Sequence, residues 1–180
     1  MTIDLYNASK QFFSGELLPP QKDGILTILN GCANNEITQL NQVAYVLATA
    51  YHESAGKMRG VDEFGHGARH PYGAMDAETG KIYYGRGIVQ LTWRANYQEF
   101  SSIAGVDLVH NPELANRLDI AVKILVVGMK KGMFTGVGLD HYIMPGHADF
   151  LNARKIVNGL DCADKIAHYA VSFSLLLSMS

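Results

Sequence analysis

Cysteine, long apolar runs and excess charge are all scarce in this chain of 180 residues. Its two cysteines, Cys32 and Cys162, lie far apart and have no CxxC partner, which argues against a disulfide framework and predicts buried free thiols. No apolar run reaches the roughly 20 residues that a membrane span needs, so we expect no stable membrane anchor. The formal net charge of -2 argues against a dedicated nucleic-acid binder, whose domain would be strongly basic.

The first residues, MTIDLYNASKQFF, lack the basic segment and following apolar segment of a secretory signal peptide. We therefore expect synthesis in the cytoplasm, so that any action outside the cell would depend on release by another agent. The composition, 48% hydrophobic and 18% charged, is that of a globular protein. The length corresponds to one domain, or to one domain with a small lobe.

Apolar periodicity predicts helices along most of the chain. The predicted spans are 3–14; Pro19-Pro20 to about Asn30, ended by Gly31; 36–55, capped by Asn34 or Asn35; 92–104, capped by Thr92; a short piece from Asn111; 119–131; 147–157; and 162–177.

The segment from about 60 to 87 has a different composition. Glycine, proline and polar residues dominate it, and only Lys81–Tyr84 has the pattern of a short strand. Connections of this length in a small domain are usually functional. The predicted fold is therefore mainly α-helical, with a small loop or β insert lining a cleft against the helices.

Glu53 is the most informative single residue. The apolar stripe of the helix predicted at 36–55 consists of Val43, Val46, Leu47 and Ala50. Helical spacing extends this stripe to Glu53, so its carboxyl is expected to be half-buried, with a raised pKa. A carboxylic acid that keeps its proton near neutral pH can serve as a general acid. The alternative is a solvated glutamate in a frayed last turn.

The histidines leave a metal site as a further alternative. His52-Glu53 begins HExxG, whereas a zinc protease of the HExxH type needs histidine where this chain has Gly56. The pair His66 and His70 has HxxxH spacing, but it lies in a glycine-rich segment without a helix to align it. A metallohydrolase using His52, His66 and His70 therefore stays open, although we predict no metal.

The insert carries four acidic residues, Asp62, Glu63, Asp76 and Glu78. Two carboxyl groups that flank a bound sugar are the usual means of cutting a glycosidic bond, since one gives a proton and the other activates water or attacks. The competing interpretation is that all four side chains are solvent-exposed loop residues without a catalytic role.

Beyond the insert, the segment YYGRGIVQLTWRANY at 83–97 combines a tight glycine passage with the start of a helix. It lacks the third glycine of GxGxxG and the GK[ST] of a P-loop, which argues against nucleotide binding. The polar groups of Gln90, Thr92 and Asn96 suit sugar hydroxyl and N-acetyl groups. Alternatively, they only cap the helix.

The segments AYHESAG (50–56), YYGRGIVQLTWRANY (83–97), HNPEL (110–114) and KIVNG (155–159) resemble glycoside hydrolase family 19, which holds chitinases and phage or prophage endolysins. Their order and spacing match over about residues 40–170. The resemblance implies one lysozyme-like, two-lobed helical domain spanning 1–180. It also implies hydrolysis of β-1,4-linked N-acetylated aminosugar polymers, usually with inversion and without a metal or cofactor.

The resemblance also assigns roles to residues of this chain. Glu53 would be the general acid, Glu63 in VDEFG the second carboxylate with Glu78 as runner-up, and Thr92 would help to hold the attacking water. The substrate-binding residues implied by the same motifs are His52, Tyr84, Arg86, Gln90, Asn96 and Asn158.

Two polysaccharides fit these roles, peptidoglycan and chitin. We expect a monomeric endolysin that reaches the cell wall after release. The sequence shows neither a signal peptide nor a chitin-binding module, and its N-terminal segment is similar to that of phage and bacterial members (QFFSGELLPPQKDGILTILN). The single tryptophan, Trp93, argues against a long stacking track for crystalline chitin. A chitinase acting on chitin oligomers and a catalytically inactive glycan-binding module remain the alternatives.

Overall fold

The computed structural model describes residues 1–178, and most of their regular structure is helical. The α-helices are α1 (Leu5–Phe12), α2 (Pro19–Asn34), α3 (Leu40–Glu53), α4 (Arg94–Ala104), α5 (Leu118–Lys131), α6 (Leu139–Tyr142) and α7 (Ala163–Leu176). Short 3-10 helices cover Pro71–Gly73, Pro112–Asn116 and Asn152–Ile156. The strands β1 (Thr2–Ile3), β2 (Ile143–Met144), β3 (His147–Ala148) and β4 (Leu177–Ser178) form two antiparallel ribbons, β1 with β4 and β2 with β3. The predicted mainly α-helical fold is confirmed.

Helix α3 lies at the centre of the larger lobe. Every residue from Gln42 to Ala50 is buried, including all four members of the predicted apolar stripe. A helix that is buried on all sides is enclosed by its neighbours, here chiefly α7, with α2 and α5. Helix α3 begins at Leu40 rather than near 36, because the left-handed backbone of Glu36 (φ 57°) breaks the path from α2. Glu53 is the last residue of this central helix.

Gly31 has a packing role instead of the predicted capping role. Helix α2 begins at Pro19, as predicted, but it continues through Gly31 to Asn34. A Cβ atom at Gly31 would lie 2.9 Å from Cγ1 of Val122 on α5, which is closer than real Cβ atoms approach another heavy atom. The missing side chain therefore allows α2 and α5 to pack closely.

Two hydrophobic cores divide the molecule into two lobes. The main core joins α2, α3 and α7, whereas the second core gathers the end of the insert, α4 and the segment that follows it. Helix α5 contributes to both, because Ala121, Val122 and Leu125 face the main core while Ile120 and Ile124 face the second. A smaller core thus lies beside the main one, whereas the insert as a separate small lobe stays a prediction.

The insert has less regular structure than its sequence predicts. Instead of a strand over Lys81–Tyr84 there are isolated bridges, Met75 with Ile82 and Arg86 with Leu91. The helix predicted at 147–157 is also replaced, by strand β3 and a 3-10 helix. The part of the chain from 1 to 178 contains no helix long and apolar enough to cross a membrane.

The two free cysteines differ in environment, so the prediction of two buried thiols is wrong for Cys162, which is exposed. Burial raises the pKa of the Cys32 thiol to about 12. Since only the thiolate reacts, iodoacetamide at pH 8 should add one group to the native protein and two after unfolding in urea, as read by intact-mass spectrometry. The Cys162→Ser variant should take up none while folded, and rapid modification of it would contradict the burial of Cys32.

Candidate active site

The Glu53 carboxyl is held at the end of α3 by an arginine from the far end of the chain. Its Oε1 accepts a hydrogen bond from Nη1 of Arg154 at 2.5 Å. The side chains are 18% exposed for Glu53 and 3% for Arg154, so this ion pair is largely removed from water. The prediction of an apolar environment around the Glu53 carboxyl is therefore wrong in one respect, because a buried cation contacts it.

Arg154 is a residue of the site that no sequence motif singles out. The structure buries Arg154 in the 3-10 helix Asn152–Ile156, and its Nε donates to the carbonyl of Asp161 at 2.9 Å. Its own carbonyl accepts from the backbone N–H of Asn158 at 3.0 Å. Glu53 and Arg154 are 101 positions apart, so no local pattern links them.

The turn after Glu53 is fixed by Ser54. The Ser54 hydroxyl donates to the carbonyl of Ala50 at 2.6 Å and accepts from the backbone N–H of Met58 at 2.9 Å. Next to it, burial lowers the pKa of His52, and the nearby Glu53 carboxylate opposes this shift. The imidazole is therefore mostly neutral at pH 7 and adds no second full cation beside Glu53.

Glu63 is tied to Gly85 and Tyr72 of the insert by three hydrogen bonds. Its backbone N–H donates to the Gly85 carbonyl at 2.7 Å, while Oε2 accepts from the Gly85 N–H at 2.9 Å. The Tyr72 hydroxyl donates to Oε1 at 2.8 Å. A Cβ atom at Gly85 would lie 2.7 Å from Oε1 of Gln90, so a side chain there would displace the Gln90 amide. The runner-up Glu78 instead pairs with Arg94 at 2.8 Å and leaves its side chain 74% exposed.

Gln90, Thr92 and Asn96 line one cavity of about 170 Å³. Gln90 also reaches the carbonyl of Val61 through Nε2 at 2.9 Å, which connects the cavity wall to the segment that carries Glu63. On another side the cavity is lined by Val157, which lies in the segment that carries Arg154. Three of the predicted polar residues are therefore brought together at one cavity.

The start of α4 differs from the prediction. Thr92 does not cap α4; the capping position belongs to Trp93, and no side chain bonds to the first turn. The Thr92 carbonyl instead accepts from Nδ2 of Asn96 at 2.8 Å. Asn158 is exposed, and its Oδ1 accepts from the N–H of Gly159 at 2.8 Å.

Arg86 is not placed for the predicted substrate contact. The residue is 6% exposed, and its Nη1 donates to the carbonyl of Ile82 at 2.9 Å and to the Tyr97 hydroxyl at 3.1 Å. The guanidinium lies 3.5 Å from the ring centroid of Tyr84. Arg86 therefore holds the small lobe together, while Tyr84, half-buried, keeps some surface for a ligand.

The histidines proposed as metal ligands have aromatic partners instead. His66 stacks on Tyr84 at 4.6 Å between ring centroids, and His70 stacks on Tyr72 at 4.9 Å. Within residues 1–178, no three His, Cys, Asp or Glu side chains lie close enough together to hold a metal ion. His52, His66 and His70 thus form no common site.

Fold and site together define a lysozyme-like helical domain in which one candidate carboxylate, Glu53, ends the central helix and the other, Glu63, lies in the insert. Residues 30–127, more than half of the chain, match the model of glycoside hydrolase family 19 described as "Chitinase class I". The chain belongs to this family, which confirms the resemblance seen in the motifs. Membership of the endolysin branch stays a prediction.

The sequence similarity to known chitinases and chitinase-like proteins covers short segments of this chain. "Basic endochitinase B" of Arabidopsis thaliana is 44% identical over 57 residues, which are 31% of this chain and 17% of that protein. "Inactive chitinase-like protein 1" of Hevea brasiliensis is 46% identical over 44 residues, which are 24% of this chain and 14% of that protein. The chain thus spans less than one third of the length of these relatives.

Solved structures extend the similarity to almost the whole fold. Chitinase C from Streptomyces griseus HUT6037 superposes with a TM-score of 0.71 at 20% sequence identity, covering 95% of this chain and 75% of that chain. At this identity the likeness establishes the fold alone.

Proposed function

We propose that this protein is a glycoside hydrolase of the endolysin type, which cleaves β-1,4 bonds in the glycan strands of bacterial peptidoglycan. Glu53 is the general acid and Glu63 the second carboxylate, which activates water. In this proposal the protein is made in the bacterial cytoplasm and acts on the cell wall after release.

One observation carries the proposal: the two carboxylates are fixed by separate parts of the fold, the central helix and the insert, and both remain partly accessible. Glu53 ends the central helix of the larger lobe, whereas Glu63 is bound to Gly85 within the insert. Hydrolysis of a glycosidic bond needs carboxyl groups on both sides of the bound sugar. Groups held by separate segments of the fold can flank a polymer that lies between them.

The two carboxyl oxygens of Glu53 have different roles in this proposal. Arg154 donates to Oε1, which leaves Oε2 to carry a proton to the leaving oxygen of the scissile bond. Glu63 accepts from Tyr72 and Gly85, so its carboxylate is held in one orientation while it takes a proton from the attacking water. Thr92, half-buried at the cavity that Gln90 and Asn96 also line, is suited to hold that water.

The choice of peptidoglycan rests on the sequence. The N-terminal segment resembles phage and bacterial members, and a single tryptophan provides little stacking surface for crystalline chitin. The names of the curated relatives favour chitin oligomers as a second candidate, since several are endochitinases. An inactive glycan-binding module is a third, because one relative is described as inactive.

The test is incubation of the protein with purified peptidoglycan and, separately, with N-acetylated chitin oligomers. New reducing ends are identified by mass spectrometry, with and without EDTA. We expect new ends from peptidoglycan at the same rate in both conditions, because two carboxylates can perform the chemistry without a metal.

Each other outcome supports a different candidate. Cleavage of chitin oligomers alone would identify a chitinase, and binding without new ends would identify a glycan-binding module. Loss of activity in EDTA, restored by a divalent metal, would overturn the two-carboxylate mechanism.

A further inference from the structure

Trp93, the single tryptophan of the chain, has an unusual backbone. Its φ of 69° lies in the left-handed region, which bulky residues rarely adopt. The backbone is held there, because the Trp93 N–H donates to the Tyr83 carbonyl at 2.9 Å and its carbonyl accepts from Asn96 N–H at 3.0 Å. Residues kept in such conformations cluster at ligand sites.

The indole is not needed as part of a core. Trp93 is 49% exposed, whereas the large side chains of the second core next to it, Tyr97 and Phe100, are almost fully buried. The chain thus accepts an unfavourable backbone at Trp93 and leaves half of the side chain in water. A residue that served only packing would gain little from this arrangement.

Trp93 is linked to Glu63 through one ring. Tyr72 contacts Trp93 nearly at right angles, with 5.5 Å between ring centroids and 76° between planes. The hydroxyl of the same Tyr72 donates to Glu63 Oε1 at 2.8 Å. This hydrogen bond raises the pKa of Tyr72, so the phenol keeps its proton and stays a donor.

We propose that Trp93 and Tyr72 form an aromatic sugar-binding subsite beside Glu63. The exposed indole packs against the apolar face of a pyranose ring of the glycan, and Tyr72 is a positioning residue that orients the Glu63 carboxylate. The inference deepens the proposed function and rests on it, since it identifies where one sugar of the polymer binds.

The surroundings favour a sugar over an apolar partner. Arg94 follows Trp93 directly and pairs with Glu78 at 2.8 Å, so charged groups border the indole. A pyranose presents both an apolar face of C–H groups and hydroxyls at its edge. It can therefore cover the ring and still bond to the polar border, which is the usual make-up of a ligand site.

Because Trp93 is the only tryptophan, its fluorescence reports on this subsite alone. The experiment titrates the Glu53→Gln variant, chosen to prevent cleavage, with tetra-N-acetylchitotetraose and with soluble peptidoglycan glycan fragments. We expect a saturable shift of emission to shorter wavelength and protection from acrylamide quenching. Saturable binding seen by calorimetry without either change would overturn the subsite.

Kinetics of the active protein separate the two roles. Trp93→Gly removes the indole at a φ that glycine adopts freely, and should raise KM about tenfold with little change in kcat. Trp93→Tyr should restore most of the affinity. Tyr72→Phe keeps the ring but removes the donor, and should lower kcat roughly tenfold at unchanged KM.

The control is Tyr6→Ala, which removes an aromatic side chain that is 67% exposed on α1, and it should alter neither constant. An unchanged KM in Trp93→Gly, with hydrolysis intact in the wild type, would overturn the subsite and leave the proposed function standing. A wild type that hydrolyses neither glycan but still shows the fluorescence shift would overturn the proposed function and leave the subsite standing.

Discussion

Replacement of Glu53 by glutamine is expected to lower the rate of glycan hydrolysis by roughly 100- to 10,000-fold, the usual contribution of a general acid. Glutamine has nearly the same shape and can still accept a hydrogen bond from Arg154 through its amide oxygen. It cannot deliver a proton to the leaving oxygen. The chemical step should therefore fail while glycan binding persists.

The measurement is the initial rate of formation of reducing ends, with circular dichroism to confirm the fold. Glu99→Gln is the matched control, since Glu99 lies exposed on α4, and it should retain wild-type activity. A Glu53→Gln variant that keeps more than a tenth of the wild-type rate would refute the role of Glu53 as general acid.

Replacement of Arg154 by methionine is expected to reduce the free energy of unfolding by about 3 kcal/mol. Methionine fills part of the space but leaves the partly buried Glu53 carboxylate without its cation. It also leaves the Asp161 carbonyl without its donor. Urea denaturation monitored by circular dichroism provides the measurement.

A double variant distinguishes the ion pair from simple packing. Adding Glu53→Gln to Arg154→Met removes the uncompensated charge, so the combined loss should be smaller than the sum of the two single losses by at least about 1 kcal/mol. The comparison pair is Arg117 and Asp119, 2.8 Å apart and exposed on both sides, where Arg117→Met should cost less than about 1 kcal/mol. Equal losses of unfolding free energy for Arg154→Met and Arg117→Met would show that burial of the Glu53–Arg154 pair does not increase its contribution to stability.

The helices could be predicted well where one apolar stripe determines them. Helix α5 was predicted at 119–131 and spans Leu118–Lys131, and the stripe of α3 located Glu53 at the end of a buried face. These predictions succeed because the period of a buried helix is visible in consecutive residues. Gly31 shows the limit, since its role depends on Val122 in another helix.

The site was harder to predict because its geometry depends on distant contacts. The pairing of Glu53 with Arg154 and the bond from Gln90 to Val61 join segments that no periodicity relates. Motif resemblance supplied the candidate carboxylates and the polar residues beside them. It did not reveal that Arg86 is buried or that Arg154 belongs to the site, because both facts depend on tertiary packing.

Helix α5 supplies side chains to both hydrophobic cores, and this limits how far the two cores can move relative to each other. Separation of the lobes would have to bend α5 or expose Ile120 and Ile124 to water. Large relative motions of the two cores are therefore costly. If the proposed function holds, the glycan must fit a site whose shape is largely preset, so bulky substituents on its sugars should govern which stretches are cleaved.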